Sequence, residues 1–168
     1  MMQAGDVLEI LGRLQAAGVH VWIDGGWGID GLVREQTREH DDLDVVIALT
    51  DALPARSALA AAGFVVAEDE LPTRFVVRDR RDRRVDFHTV TFREDGSAIQ
   101  QLQDGTPCTY PAAGFSATGC IGGWQVACLT AEAQLRHHLG YDPVQADIHD
   151  MALLADRFQL VLPPPYAP

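Results

Sequence analysis

Positive charge is scarce in this sequence. Lysine and arginine together supply 13 residues against 24 aspartates and glutamates, which gives a formal net charge of −11. A field of that sign repels nucleic acids and anionic membranes, and it attracts cations, including small molecules that carry amines. We therefore expect no nucleic-acid partner and no membrane partner. The acidity by itself is also what a merely soluble protein would show.

Cysteine is also rare, and its three copies, Cys108, Cys120 and Cys128, form no CxxC pair. An odd number of widely spaced cysteines argues against a disulfide framework and a zinc ribbon, and it predicts reduced thiols. No apolar run approaches the ~20 residues of a membrane span, and the N-terminus lacks the basic and then apolar pattern of a signal peptide. These absences predict a cytoplasmic protein.

Helical and strand periodicities alternate along the 168 residues, without an internal repeat or a linker. We expect one α/β domain over residues 1–168, with C-terminal helices at about 130–158 packed on it. The predicted helices cover 3–17, 27–35, 53–62, 131–139 and 143–158. The predicted strands cover 20–26, 42–49, 64–68, 73–79 and 84–90, with a hairpin at 119–129. Residues 93–118, which contain several glycines and prolines, are expected to be irregular.

Three carboxylates, Asp41, Asp42 and Asp44, crowd the start of the strand predicted at 42–49. Side chains alternate faces along a strand, so Asp42 and Asp44 point the same way. Asp86, in "RVDFHTV", lies in a strand that could run beside it. Oxygen ligands in this number suit a hard divalent cation. The structural alternative is a turn cap followed by an edge-strand charge, and it would be preferred for the DxD pair alone.

The segment "WIDGGWGIDGLVREQTREHDDLDVVI" (22–47) resembles the signature of small antibiotic nucleotidyltransferases of the DNA polymerase β superfamily. It is most similar to lincosamide nucleotidyltransferases and then to aminoglycoside 2″-adenylyltransferases. "CLTAEAQLRHHLGYDP" (128–143) resembles the C-terminal part of the lincosamide group. Aminoglycoside enzymes usually carry a longer C-terminal helical region, so the resemblance favours the lincosamide group.

This resemblance implies a nucleotidyltransferase fold with a mixed sheet flanked by helices. It also implies transfer of a nucleoside monophosphate, AMP if the nucleoside triphosphate is ATP, to a hydroxyl of a lincosamide or an aminoglycoside. Two Mg²⁺ ions would be held by Asp42, Asp44 and Asp86, and Asp86 could also act as general base. The acceptor could instead be an amine-bearing metabolite.

Two glycines and an arginine are predicted to bind the nucleotide phosphates. Gly25 and Gly26 begin a helix, where backbone N–H groups attract anions, although a plain tight turn would look the same. Arg38 could bind phosphate oxygens bidentately, or it could form a salt bridge to Glu39 or Asp41.

Other ring side chains are candidates for substrate contacts. His88 lies two residues after Asp86, on the same strand face, and could touch the acceptor or be a polar neighbour. Of the adjacent His137 and His138, one is expected to line the nucleotide pocket and the other to be solvated. Tyr141 is a candidate for stacking on the nucleotide base.

Two other functional classes compete with this interpretation. One is a non-catalytic nucleotidyltransferase-like module that acts as a toxin or antitoxin partner. The other is a nucleotidyltransferase that modifies RNA or protein, and the acidic composition argues against RNA. The nucleotide preference and the oligomeric state stay open, with a homodimer among the possibilities.

Overall fold

The computed structural model describes residues 1–167 and contains helices, strands and two short 3₁₀ turns. The α-helices are α1 (Ala4–Ala16), α2 (Gly25–Val33), α3 (Ala52–Ala60), α4 (Ala131–His137) and α5 (Gln145–Phe158). The strands are β1 (Trp22–Asp24), β2 (Asp42–Ala48), β3 (Val65–Glu70), β4 (Arg74–Arg78), β5 (Arg84–Phe92), β6 (Ala98–Gln101), β7 (Pro107–Tyr110), β8 (Ala117–Ile121) and β9 (Trp124–Cys128). Among the described residues, no helix combines the length and the apolar character that crossing a membrane requires.

The strands form a mixed sheet in the order β3-β4-β5-β2-β1-β9-β8. β2 pairs in parallel with β5, and β1 with β9, while the other neighbours on this path are antiparallel. Helices pack against this sheet, so the predicted α/β architecture with a mixed sheet is confirmed. The predicted hairpin at 119–129 is also present, as β8 and β9.

The prediction for residues 93–118 was wrong in part, because this segment contains the antiparallel pair β6–β7. The pair extends from the end of β5. Ala98, Gln100 and Tyr110 are buried in it, so an alternating pattern was present. Gly96 and Gly105 lie in the turns that flank β6, with φ of +80° and +85°. The glycines therefore mark hairpin turns and not an irregular segment.

The alternation along β2 separates the core from the site. Leu43, Val45 and Ile47 are fully buried in the main core together with residues of α1 and α3. Burial of each such side chain stabilises the fold by about 1.5–3 kcal/mol. Because all three lie on the same face of β2, that face is turned toward the core. Asp42 and Asp44 therefore point to the opposite face, where they are only partly covered.

The C-terminal helices pack against α2. The Thr130 hydroxyl caps α4 by accepting from the Ala133 backbone, as the sequence predicted. Ile29 of α2 is buried among Met151 and Leu154 of α5. This packing brings residues from the last third of the chain to the helix that follows β1.

Candidate active site

The parallel pairing of β2 and β5 places three functional side chains side by side. Asp44 is directly opposite Asp86 in the register, and His88 follows two residues later on the same face of β5. Ligand atoms of Asp44, Asp86 and His88 all lie within 4.8 Å of one another. Asp42 lies outside this group, two residues before Asp44 and opposite Arg84. The predicted carboxylates thus share one face, with Asp42 at its margin.

Burial and mutual repulsion destabilise the charged forms of two of these carboxylates. Burial and then the charge of Asp44 raise the pKa of Asp42 above its ordinary value. Burial raises the pKa of Asp86, where Asp44 adds to the effect while His88 and Arg74 oppose it. One oxygen of Asp86, Oδ1, is buried and has no hydrogen-bond partner among the described residues. Such an oxygen is costly unless a ligand satisfies it.

His88 has polar neighbours on two sides. Its Nε2 lies 3.8 Å from Asp44 Oδ1, and its Nδ1 lies 3.3 Å from Gln100 Nε2. Gln100 is fixed in turn, because its amide donates to the Thr73 carbonyl and its oxygen accepts from the Tyr110 hydroxyl. Burial alone would lower the pKa of His88, but the nearby carboxylates outweigh burial and raise the pKa to about 9.

The two glycines leave no room for a side chain. Gly25 has φ +60°, and a Cβ at this position would collide with the Asp44 carboxylate. A Cβ on Gly26 would collide with His40 and Arg38. The N–H of Gly25 donates to Asp24 Oδ1 at 2.9 Å, so this amide is not free for a phosphate. The other first-turn amides of α2 have no acceptor within the helix.

Arg38 has a partner that the sequence did not suggest. Its Nε and Nη2 donate to the two oxygens of Asp150 at 2.9 and 2.6 Å, and Asp150 is only 2% exposed. The expected alternative, a salt bridge to Glu39 or Asp41, is therefore wrong, and only the backbone carbonyl of Glu39 accepts from Nη1. Arg38 joins the loop before β2 to α5 while it also lines the cavity.

A cavity of about 520 Å³ opens in front of Asp44 and His88, whereas Asp42 and Asp86 are not among the residues that line it. The glycine turn, Arg38 and Asp44 form part of its wall, and the hairpin β6–β7 with Leu102 and Cys108 forms another part. The segment after α4 contributes Tyr141, which is 47% exposed. Tyr141 is therefore placed at the cavity, as expected for a residue that stacks on a base.

Both adjacent histidines line this cavity, so the expectation that one of them is solvated was wrong. His138 is 8% exposed, and His137 Nδ1 lies 3.0 Å from Asp24 Oδ2. A carboxylate only accepts, so Nδ1 carries the proton. Burial alone would raise the pKa of Asp24, but the bond and charge of His137 outweigh it and lower the pKa.

Sequence reasoning missed Asp24, Arg74, Gln100 and Asp150 at or beside this site. Asp24 stands immediately before the two glycines and is opposite Asp44 in the β1–β2 register, so its position in "WIDGG" was an available signal. The other three are placed by tertiary contacts that no local motif indicates.

Comparisons with known proteins agree with this geometry. A family model described as aminoglycoside-2''-adenylyltransferase matches residues 6–154. A lincosamide resistance protein of Staphylococcus haemolyticus is 29% identical over 146 residues, which cover 87% of this chain and 90% of that protein.

Two solved structures are also similar. The lincosamide antibiotic adenylyltransferase LnuA with lincomycin bound is 28% identical, with a TM-score of 0.79 over 88% of this chain and 93% of that one. ANT(2'')-Ia in complex with adenylyl-2''-tobramycin is 20% identical and shares the fold, with a TM-score of 0.73 over 92% of this chain and 88% of that one. Because the family model spans most of the sequence, the chain belongs to the aminoglycoside-2''-adenylyltransferase family and is a nucleotidyltransferase.

Proposed function

We propose that this enzyme transfers AMP from ATP to a hydroxyl group of a lincosamide antibiotic in a Mg²⁺-dependent reaction. The observation that carries the proposal is the convergence of Asp42, Asp44 and Asp86 on one sheet face, beside the N-terminus of α2. Carboxylates on neighbouring strands next to a helix N-terminus can hold a nucleoside triphosphate through its metal ions and its phosphates.

The residues present fit a divalent cation. The site supplies hard oxygen donors, and the buried Oδ1 of Asp86 has no other partner among the described residues. Asp42 and Asp44 would hold the ion that accompanies the phosphates, and Asp44 and Asp86 would hold a second one. When bound, Mg²⁺ supplies Lewis-acid chemistry, in which it neutralises phosphate charge and lowers the pKa of a hydroxyl group.

The protein side chains would then divide the remaining tasks. Asp86 accepts the proton of the acceptor hydroxyl as that oxygen attacks the α-phosphorus and pyrophosphate leaves. His88, beside Asp44 on the same face, contacts the acceptor. The N-terminus of α2 binds phosphate through Gly26 and the amides that follow it, while Gly25 contributes by having no side chain. Tyr141 stacks on the base.

We propose a structural role for Arg38 ahead of direct phosphate binding. Both donating edges of its guanidinium already satisfy Asp150 and the Glu39 carbonyl. Its charge still contributes to the phosphate end of the cavity, because the side chain is 28% exposed there.

Two features of the cavity support a lincosamide over a polycationic aminoglycoside as the acceptor. A polycation requires several free carboxylates, and of the three that line the cavity, Asp24, Asp44 and Asp147, the first is already paired with His137. Leu102 and Leu139 give the wall an apolar part that suits an acceptor with one amine and an alkyl group. The similar LnuA is a lincosamide antibiotic adenylyltransferase, and the similar Staphylococcus haemolyticus protein is a lincosamide resistance protein. An aminoglycoside is the second candidate, because the family model is named for that activity.

The test is incubation of purified protein with Mg²⁺, each nucleoside triphosphate in turn, and panels of lincosamides and aminoglycosides, followed by mass spectrometry. We expect a lincosamide to gain the mass of AMP, and we expect Asp86→Asn to lose this product while it stays folded. Adenylylation of aminoglycosides alone would replace the first candidate by the second. If no antibiotic is modified with any nucleotide, the proposed function is refuted.

A further inference from the structure

Arg74 makes contacts that the reaction outlined above does not use. It begins β4, is opposite His88 in the β4–β5 register and lines the cavity, with its side chain 27% exposed. Its Nη1 donates to Asp86 Oδ2 at 2.8 Å. Two carboxylates of β3 hold the rest of the guanidinium, since Nη2 donates to Glu68 and Nε lies 2.7 Å from Glu70.

This arrangement gives Asp86 one satisfied and one unsatisfied oxygen. Oδ2 accepts a hydrogen bond from the guanidinium of Arg74, while Oδ1 is buried without a partner among the described residues. A dication that binds Asp86 must therefore settle within a few ångströms of a permanent positive charge. Arginine cannot relieve that repulsion by losing its proton.

Its ion pairs to β3 allow Arg74 to release Asp86 and still have carboxylate partners. Glu68 and Glu70 would keep the guanidinium paired if Nη1 lost its bond to Asp86. Replacing the guanidinium by a divalent ion as the counter-cation of Asp86 would therefore leave no buried charge unpaired. An unpaired buried charge is the costly outcome.

We propose that Arg74 is a resident counter-cation of Asp86, and that it competes with the divalent ion for the charge of this carboxylate. This inference rests on the metal role that the proposed function assigns to Asp86. Arg74 is a positioning residue in this scheme: it neutralises Asp86 before the metal and nucleotide arrive, and it lowers metal affinity in the absence of nucleotide.

The test is Mn²⁺ binding without nucleotide, measured by isothermal titration calorimetry and by the electron paramagnetic resonance signal of free Mn²⁺. Arg74→Gln should bind Mn²⁺ on the order of tenfold more tightly than the wild type, because a partly buried unit charge near a dication is worth at least that much. The matched control is Arg78→Gln, at the other end of the same strand. Arg78 is exposed and pairs only with Asp82 among the described residues, so this variant reports the change in net charge alone.

The outcomes separate this inference from the proposed function. If Asp86→Asn binds Mn²⁺ as the wild type does, the metal role of Asp86 fails, and the inference about Arg74 fails with it. If Asp86→Asn loses binding while Arg74→Gln binds no more tightly than Arg78→Gln, only the inference about Arg74 is overturned.

A measurement on the wild type covers the case in which Arg74→Gln does not fold. The Nε–H resonance of Arg74, assigned through its loss in Arg74→Lys, should shift as Mg²⁺ saturates the site. A resonance that stays unchanged at saturation overturns the proposal.

Discussion

Asp42→Asn should make the metal-free protein more stable. Asp42 and Asp44 project from one face of β2, two residues and therefore about 7 Å apart. At that separation, two like charges repel by about 0.6–1.2 kcal/mol for effective dielectric constants between 80 and 40. Burial adds to this penalty, and Arg84, opposite Asp42, offsets part of it. We expect a net gain of about 1 kcal/mol at neutral pH, and a melting temperature about 2–4 °C higher.

The pH dependence has a definite sign. A carboxylate with a pKa raised in the folded state destabilises the fold at neutral pH, and this penalty disappears as pH falls toward the pKa of the unfolded chain. The advantage of Asp42→Asn should therefore be complete at pH 7 and vanish near pH 4. With Mg²⁺ and a non-hydrolysable ATP analogue the order should reverse, because the wild type would gain more from ligand binding.

Thermal unfolding followed by circular dichroism, with EDTA and then with ligands, measures both effects. Asp41→Asn is the control, because it removes the same charge from a side chain that is 89% exposed. Equal shifts in the two variants would refute the argument from crowding. A lower melting temperature for Asp42→Asn would refute it as well, since it would show that Asp42 is stabilised as an anion.

Three further variants test other parts of the site. Arg38→Met should lower the free energy of unfolding by about 3 kcal/mol in urea titrations, because it leaves the buried Asp150 unpaired. The double variant that also carries Asp150→Leu should recover most of this loss. Gly25→Ala should abolish turnover and weaken Mn²⁺ binding, because the added Cβ would collide with the Asp44 carboxylate. Gly63 also has a positive φ but has open space around it, so Gly63→Ala should cost only about 1 kcal/mol of stability. His88→Ala should raise KM for the acceptor and leave the Kd for ATP within about twofold, as measured by calorimetry; loss of ATP binding instead would place His88 at the nucleotide.

The site carboxylates were predictable because the pattern that reveals them is local. Alternation along β2 assigned Asp42 and Asp44 to one face, and the apolar neighbours of Asp86 did the same for β5. The register that aligns Asp44 with Asp86 was not in the sequence pattern, since it depends on how two strands whose paired residues are 42 positions apart pack. A slip by one residue would have turned Asp86 to the other face.

The partners of Arg38 and His88 show why the rest was missed. Arg38 has acidic residues next to it in the sequence, yet its partner lies 112 positions away on α5. Gln100, beside His88, belongs to the β6–β7 pair, whose glycines and prolines concealed its alternation. In each case the decisive contact is made between elements whose packing is set by the core and not by nearby residues.

The pairs that close the cavity have a consequence for biosynthesis. His137 bonds to Asp24 across 113 positions, and Arg38 to Asp150 across 112. Closing a loop of that length costs about 4 kcal/mol of chain entropy, which only a nearly complete core can offset. At about 5–20 residues per second, a ribosome needs roughly 6–22 s to make the chain between the members of such a pair.

During those seconds the growing chain carries the acidic strand without the residues that close the cavity around it. Asp24 and Arg38 then face solvent, and nothing holds the glycine turn against the C-terminal helices. A nascent chain in which α4 and α5 are still unfolded therefore lacks the complete cavity. We therefore expect nucleotide turnover only after α4 and α5 have been made and have packed against α2.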